Sequence, residues 1–503
     1  MTPPQRLRAH SGRGVALALA TLLAVGIALR AVATAAWWPI STSQLDATAY
    51  AYFAYGLTSG DINPLTNPQH PPGYSVFIAL LGQISREVAV LGIVQHLMAL
   101  AAALVLFLAI RRLCGSPWPG VVGAAVLLLN ADQVHLERAI TSEALFVPAV
   151  AVVIYAVSRM LEAPHRRWPW PAAVAVLVVV CATIRSSALF LIPVIALAML
   201  FAQTMPWGSR WWSLGAFVGP AAVLLLLYAG LNQSATGRFE VTPATGWHLY
   251  GRVAPFASCS QFSPPPGTRG LCERGSRYTR NGTDYYLYMV DSPSYHVFGL
   301  RPFEHDEELG DFARRAILGQ PKTYALTVWN DIKAYYVPSS FYWAPYGGAT
   351  LSQHLNWDAP IDANRRKELR TAERGIENFF DEFSVRRNGT LLAQLETYQR
   401  IGRVGATVLF VCTLLTILGL LVGPRRNRVS VLVLGMGGLA LFIPSTLSVI
   451  YVGRYSVPAG PLVAAGAAVT LLSLLRSYGP GREGRRLPQV PSAIQDVGPD
   501  TRL

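Results

Sequence analysis

Charge is what this chain has least of. Only 14% of its 503 residues are Asp, Glu, Lys or Arg, where a soluble protein carries about 25%. That shortage excludes an ordinary water-soluble domain, as do the 52% hydrophobic content and a mean hydropathy of +0.34. Lysine is nearly absent, confined to positions 322, 333 and 367, a bias that suits a GC-rich bacterial coding sequence and carries no functional weight. Also missing are a P-loop, a Gly-rich dinucleotide fingerprint, a Cys/His cluster at zinc spacing and a Gly-x-Ser-x-Gly elbow. ATP-driven transport, redox chemistry and serine hydrolysis therefore lack support. No cofactor is indicated; a divalent metal is admissible, but nothing in the sequence calls for one.

What the chain does have is long apolar runs, and a bilayer needs roughly 20 such residues per crossing. Ten spanning helices are expected, over 14–36, 88–110, 117–131, 143–160, 170–184, 186–203, 211–231, 402–423, 429–450 and 456–476. The first is read as a retained anchor, because it exceeds an ordinary signal-peptide core and no small-residue cleavage site precedes the polar segment after it. Residues 73–85 are too short to span comfortably, and two prolines at their start suit a helix N-terminus; they are expected to form a juxtamembrane helix. The formal net charge of +14 divides unevenly. Residues 232–400 hold 19 Lys/Arg and 18 Asp/Glu, while the rest of the chain holds 23 and 10, its basic residues clustered beside apolar runs. This is the positive-inside pattern, and it requires no nucleic-acid partner.

The expected fold is an all-α polytopic membrane protein carrying an inserted mixed α/β extracytoplasmic region, in a bacterial plasma membrane with both termini cytoplasmic. Residues 1–231 would form an N-terminal membrane module whose first exterior loop is 37–87. Residues 232–401 would be the insertion, 402–476 the C-terminal helices, and 477–503 a disordered cytoplasmic tail. Within the insertion, 238–300 reads as short strands and turns, 306–336 as an interfacial helix around Pro321, and 361–400 as charged water-facing helices. Of five cysteines, Cys259 and Cys272 fall in this exterior loop on either side of Pro264-Pro265-Pro266-Gly267. An oxidising compartment favours a disulfide between them over two unpaired thiols.

Ionisable groups at or in a membrane are costly and point to function. Asp46 follows the first apolar run, at the boundary where a lipid-tailed substrate presents its head. A carboxylate there can take a proton from a hydroxyl whose oxygen attacks an activated carbon. A helix N-cap explains Asp46 as well, and the two roles are compatible; Tyr50 lies one turn on. Arg185, Arg454 and Arg30 sit on the exterior edge against the charge trend. They suit an anionic lipid phosphate through bidentate donation, or else they snorkel to headgroups, which fits Arg30 best. In Asp132-Gln133-Val134-His135-Leu136-Glu137-Arg138 through Thr141-Ser142-Glu143, Glu143 is either a substrate contact or an acid in a favourable first helical turn. His70, before Pro71-Pro72, is a candidate for a phosphate or sugar hydroxyl, although a lone His is more often structural.

The order of these features resembles a known family. An apolar helix precedes Asp46 and Tyr50; His70-Pro-Pro-Gly-Tyr74 and Thr141-Ser142-Glu143-Ala-Leu-Phe146 each open a helix; Gln320-Pro321-Lys-Thr-Tyr324 and Arg454-Tyr455-Ser-Val-Pro458 come late. The chain resembles the GT-C superfamily of integral membrane glycosyltransferases, in particular the protein O-mannosyltransferase and lipid A aminoarabinose transferase branch. The likeness covers residues 14–200 well and the last three helices moderately, and in the exterior loop only the helix around Pro321. It implies sugar transfer from a polyprenyl-phosphate donor to a protein, lipid or cell-wall glycan acceptor on the extracytoplasmic face. On this analogy Asp46 is the catalytic base, Arg185 and Arg454 hold the donor phosphate, and Glu143 lines the cavity. Many members of that branch carry two adjacent acids, whereas Asp46 is followed by Ala47, which speaks against a paired-acid site or a metal bridged by one. The alternative is a transporter or flippase of lipid-linked envelope intermediates. It predicts ionisable residues near mid-bilayer and broken helices in two related halves, neither of which the sequence displays. A scaffold that binds wall polymer would leave Asp46 and Arg454 without a role.

Overall fold

The structure, a computed structural model, describes residues 3–41, 46–162, 169–202, 206–242, 244–275, 280–337 and 373–478. The tail expected after 477 and the first part of the charged segment 361–400 therefore lie largely outside the described residues. In chain order, α1 (Pro3–Ala36) runs into a two-residue strand β1 (Trp37–Trp38), then α2 (Asp46–Ser59) and α3 (Gly73–Gly82). The membrane module continues with α4 (Val88–Cys114), α5 (Trp118–Leu129), α6 (Ala131–Glu137), α7 (Glu143–Glu162), α8 (Pro169–Ile184), α9 (Leu191–Phe201) and α10 (Trp207–Thr236). The inserted region contributes α11 (Thr245–Val253), α12 (Thr283–Tyr288), α13 (Pro293–Phe298), α14 (Asp306–Gly319), α15 (Pro321–Ala334) and strand β2 (Arg386–Arg387). Helices Gly389–Gly402, Ala406–Val422 and Gly460–Tyr478 belong to the C-terminal part.

Among the described residues six helices are long and apolar enough to cross a membrane: Gly12–Ala36, Val88–Cys114, Glu143–Glu162, Trp207–Thr236, Gly389–Val422 and Asn427–Leu447. The protein is a multi-pass membrane protein. Four of the ten expected spans coincide with helices of 10–17 residues, namely Trp118–Leu129, Pro169–Ile184, Ser186–Phe201 and Gly460–Arg476. At about 1.5 Å per residue these fall short of a hydrocarbon layer of roughly 30 Å, so six segments meet the length requirement. Local chemistry sets the ends. Gly115, in the left-handed region at φ 63°, closes α4 after Arg111 and Arg112, which complement the helix dipole. The C-terminal turn is longer than the expected 451–455, because Pro444 falls in a 3-10 segment and the last helix begins only at Gly460, after Pro458. The largest apolar core joins α4, α5, α7, α8 and α9 to the Gly460–Tyr478 helix. The span Gly12–Ala36 is only 17% buried and lies at the edge of the bundle.

The inserted region departs from expectation. In place of short strands, 238–300 forms α11, α12, α13 and a 3-10 turn at Arg269–Leu271. Trp247, Tyr250, Val253, Ala254 and Ala257 recur at helical spacing and are buried with Tyr286 and Phe312; that periodicity outweighs the turn-rich composition. The sheet among the described residues is the antiparallel pair β1–β2, Trp37 opposite Arg387 and Trp38 opposite Arg386. Cys259 and Cys272 form a disulfide with Cα atoms 5.9 Å apart.

Candidate functional site

Three local features place the polar residues. Asn67 Oδ1 accepts hydrogen bonds from the backbone N–H groups of Gln69 (2.9 Å) and His70 (3.2 Å), an Asx-type turn that fixes the His70 loop. A Cβ on Gly73 would lie 2.6 Å from Thr183 O and 2.9 Å from Ile184 N. Only glycine therefore lets the start of α3 rest against the end of α8, one residue before Arg185. A second small core, with Tyr50, Tyr74, Ile78, Leu91, Ile140, Phe379 and Phe380, holds α2 and α3 in place.

On this support five residues far apart in sequence converge. Asp46, the first residue of α2, pairs its Oδ2 with Arg454 Nη2, and its Oδ1 lies 3.8 Å from His70 Nε2. Arg454 Nε is 3.4 Å from Glu143 Oε1, and the same oxygen is 2.9 Å from Arg185 Nη1. Arg185 Nη1 also donates to Ser142 Oγ at 2.9 Å, and its guanidinium stands 4.6 Å from the Tyr455 ring centroid. Tyr50 stacks on His70 with centroids 4.6 Å apart and meets Tyr74 edge-on at 4.8 Å. Six of the sequence candidates (Asp46, Tyr50, His70, Glu143, Arg185 and Arg454) thus belong to one cluster. Glu143 is buried, whereas the Asp46 side chain is 26% exposed and open to a ligand.

The electrostatics follow from this geometry. Burial works to raise the Asp46 carboxyl, but Arg454, His70 and Arg185 outweigh it and hold the group well below its ordinary value. Burial lowers His70, and the two arginines add to that, against the opposing pull of Asp46. Burial, then the charges of Asp46 and Glu143, raise the Tyr50 phenol, so it stays protonated. At neutral pH Asp46 is therefore a carboxylate beside two guanidiniums and a neutral imidazole.

Other candidates fall elsewhere. Arg30 is 3% exposed, so the expectation that it snorkels at the exterior edge is corrected. Its Nε and Nη2 each bond Glu137 at 2.7 Å, and its Nη1 donates to Gly26 O and Leu128 O. Glu137 and Asp132 are likewise buried. Gln399 Nε2 donates to Asp132 Oδ1 at 2.5 Å, and Arg403 stands 3.5 Å away. Asp284 and Tyr288 on α12 were not singled out from sequence. Burial and then the charge of Asp46 raise both groups, so both lie within electrostatic reach of Asp46. Their signal in the sequence was weak, because α12 lies about 240 residues from Asp46 and has no periodicity of its own. Among the described residues no group of three or more His, Cys, Asp or Glu side chains is arranged to hold a metal ion.

Residues 69–228 match the model of a family described as dolichyl-phosphate-mannose-protein mannosyltransferase, within the GT-C superfamily. The matched segment contains His70, Glu143 and Arg185; Asp46 and Arg454 lie outside it. No curated protein matches the chain. The match spans 160 of the 503 residues and is a likeness of that segment to the family.

Proposed function

We propose that the protein is a membrane glycosyltransferase of the GT-C type, which moves a sugar from a polyprenyl-phosphate donor to a hydroxyl of a protein, lipid or cell-wall glycan, on the extracytoplasmic face. The observation that carries the reading is the meeting of Asp46, Arg454, Glu143 and Arg185 around a partly open carboxylate. A lipid-linked donor suits a face without nucleotides, because one phosphate serves as both leaving group and membrane anchor. The acceptor oxygen attacks the anomeric carbon while its proton passes to Asp46. The bond from that carbon to the phosphate oxygen breaks, and the electron pair leaves with polyprenyl phosphate.

Arg454 and Arg185 would meet the charge that develops on the phosphate. Arg454 is paired with Asp46, which holds the carboxylate too weakly basic to be an effective acceptor. A donor phosphate that draws Arg454 away removes the largest opposing charge and restores basicity to Asp46 when the donor is in place. Glu143 holds both guanidiniums in register. The experiment is transfer from a radiolabelled polyprenyl-phosphate sugar in membranes bearing wild type or Asp46→Asn. Transfer is expected only with wild type. Undiminished transfer by the variant removes Asp46 from the mechanism, and uptake of intact donor without transfer by wild type would favour a flippase.

A further inference from the structure

Arg454 sits on an irregular stretch of chain. It belongs to the 3-10 turn Gly453–Ser456, which lies between the 3-10 segment Ile443–Leu447 and the start of the last helix at Gly460. A turn this short is held by few hydrogen bonds, of poor geometry. Val452, the residue that leads into it, has no side-chain oxygen with which to cap it. Its own bonds close it locally, with Tyr455 N–H donating to Val452 O at 3.0 Å and Val457 N–H to Arg454 O at 3.2 Å. The direction of the turn, and with it that of the guanidinium, is left to contacts from outside.

One such contact comes from the inserted region. Tyr335, at the C-terminal end of α15, sets its hydroxyl against both polar atoms of the Val452 backbone. It donates to Val452 O at 3.2 Å and accepts from Val452 N–H at a longer 3.5 Å. Its ring is 3% exposed and meets Phe442 and Tyr451 edge-on, with centroids 4.7 and 4.6 Å apart, so packing fixes where the hydroxyl lies. α15 is itself anchored. One turn before Tyr335, Asp331 pairs with the buried Arg252 of α11. About three turns before it, Tyr324 donates to Leu447 O at 2.7 Å. Two residues past Val452, Arg454 pairs with Asp46 and stands 3.4 Å from Glu143.

We propose that Tyr335 is a positioning residue for donor binding: through the Val452 backbone it seats the turn that aims Arg454 at the phosphate. This deepens the role given to Arg454 in sugar transfer and rests on it. The hydroxyl acts on the backbone, and the guanidinium follows. The inserted region, and not only the helical bundle, thereby sets how tightly the donor is held. Loss of the hydroxyl frees Val452 from α15 while the ring keeps its packing, so the turn loosens and the fold stands.

The test compares Tyr335→Phe, Tyr324→Phe and Arg454→Lys with wild type, as full-length proteins, in two measurements. One is hydrogen–deuterium exchange of the peptide 448–459; the other is the donor KM for a radiolabelled polyprenyl-phosphate sugar. Tyr335→Phe is expected to speed exchange at the turn and to raise the donor KM about fivefold, the size of one net hydrogen bond, with kcat nearly unchanged. Tyr324→Phe removes a bond from the same helix to a residue outside the turn, and should do neither. A mere loss of folded protein lowers kcat and leaves KM alone. Unchanged exchange or an unchanged donor KM in Tyr335→Phe overturns the inference. An equal rise in both tyrosine variants also overturns it, because the docking of α15 as a whole would then be what matters. Arg454→Lys separates the two levels. If it raises the donor KM and Tyr335→Phe does not, only the role of Tyr335 falls. If it leaves the donor KM unchanged, Arg454 is not at the phosphate, and the inference falls with that reading.

Discussion

Two ionic clusters lie within the same bundle and are built on opposite terms. Around Glu137 every strong interaction is closed. Arg30 bonds both carboxylate oxygens, Gln133 Nε2 donates at 3.1 Å, His96 at 2.8 Å, and the acid is fully buried. Around Asp46 the interactions are shared and loose. Arg454 is divided between Asp46 and Glu143, Arg185 between Glu143 and Ser142, and Asp46 keeps an open side. An acid whose oxygens are both engaged and fully buried acts as a brace between α1, α4 and α6. A cluster whose guanidiniums are shared between partners around an accessible carboxylate can exchange them. Ionisable residues in a membrane protein thus divide by saturation as well as by position.

The sharpest way to break this comparison is Asp46→Asn. It is expected to cost about 10²- to 10⁴-fold in transfer rate while the melting temperature stays close to wild type, because a partly open pair contributes little to folding. A collapse of stability without a specific loss of transfer would make the Asp46 cluster a brace too. Glu137→Ala tests the other half. It leaves Arg30 buried without its counter-charge and should destabilise the fold by about 3–5 kcal/mol, read as early aggregation in a thermal ramp followed by size exclusion. A normal melt would show that the cluster does not brace the bundle.

Gly73→Ala comes next. Overpacking of this kind costs about 1–3 kcal/mol, and the shift of α3 off Thr183 should lower turnover as well. Unchanged melting and turnover would mean that the contact is not needed for the site. Arg454→Lys keeps the charge but loses the planar fork, and is expected to raise the donor KM roughly tenfold with a smaller effect on kcat; an unchanged KM would take Arg454 away from the phosphate. The smallest expected effect is in pH. Asp46, whose folded value is depressed, adds stability above its unfolded value of 3.8 and loses it as pH falls through the lower folded value. His70, lowered from 6.5, is already neutral at pH 7. Between about pH 6.5 and 8, kcat/KM should therefore be flat on the acid side, and a protonation midpoint above 6.5 would contradict the charge state given for the pocket.

Much of this was legible in the sequence, for identifiable reasons. Apolar runs above the spanning threshold marked the long helices, and Asp46, Arg185 and Arg454 stood out because charge beside such runs is rare and costly. Their convergence was not legible: 408 residues separate Asp46 from Arg454, and no local pattern encodes that pairing. Arg30 was misjudged because snorkelling and burial against an acid look alike until the partner Glu137, 107 residues away, is placed. The helices of 238–300 were missed because a high Gly, Pro and Tyr content obscured the spacing of Trp247, Tyr250 and Ala254. Asp284 and Tyr288 carried only a weak signal, since it is packing that brings α12 within reach of Asp46.

By itself the sequence determined that this protein lives in a membrane and that its costly charges gather in a few polar segments between apolar runs, since hydrophobicity and charge are summed locally along the chain. Which acid met which arginine was decided by tertiary structure alone. An ion pair depends on distances of a few ångströms, and those are set by how α2, α7 and the last turn before Gly460 pack together.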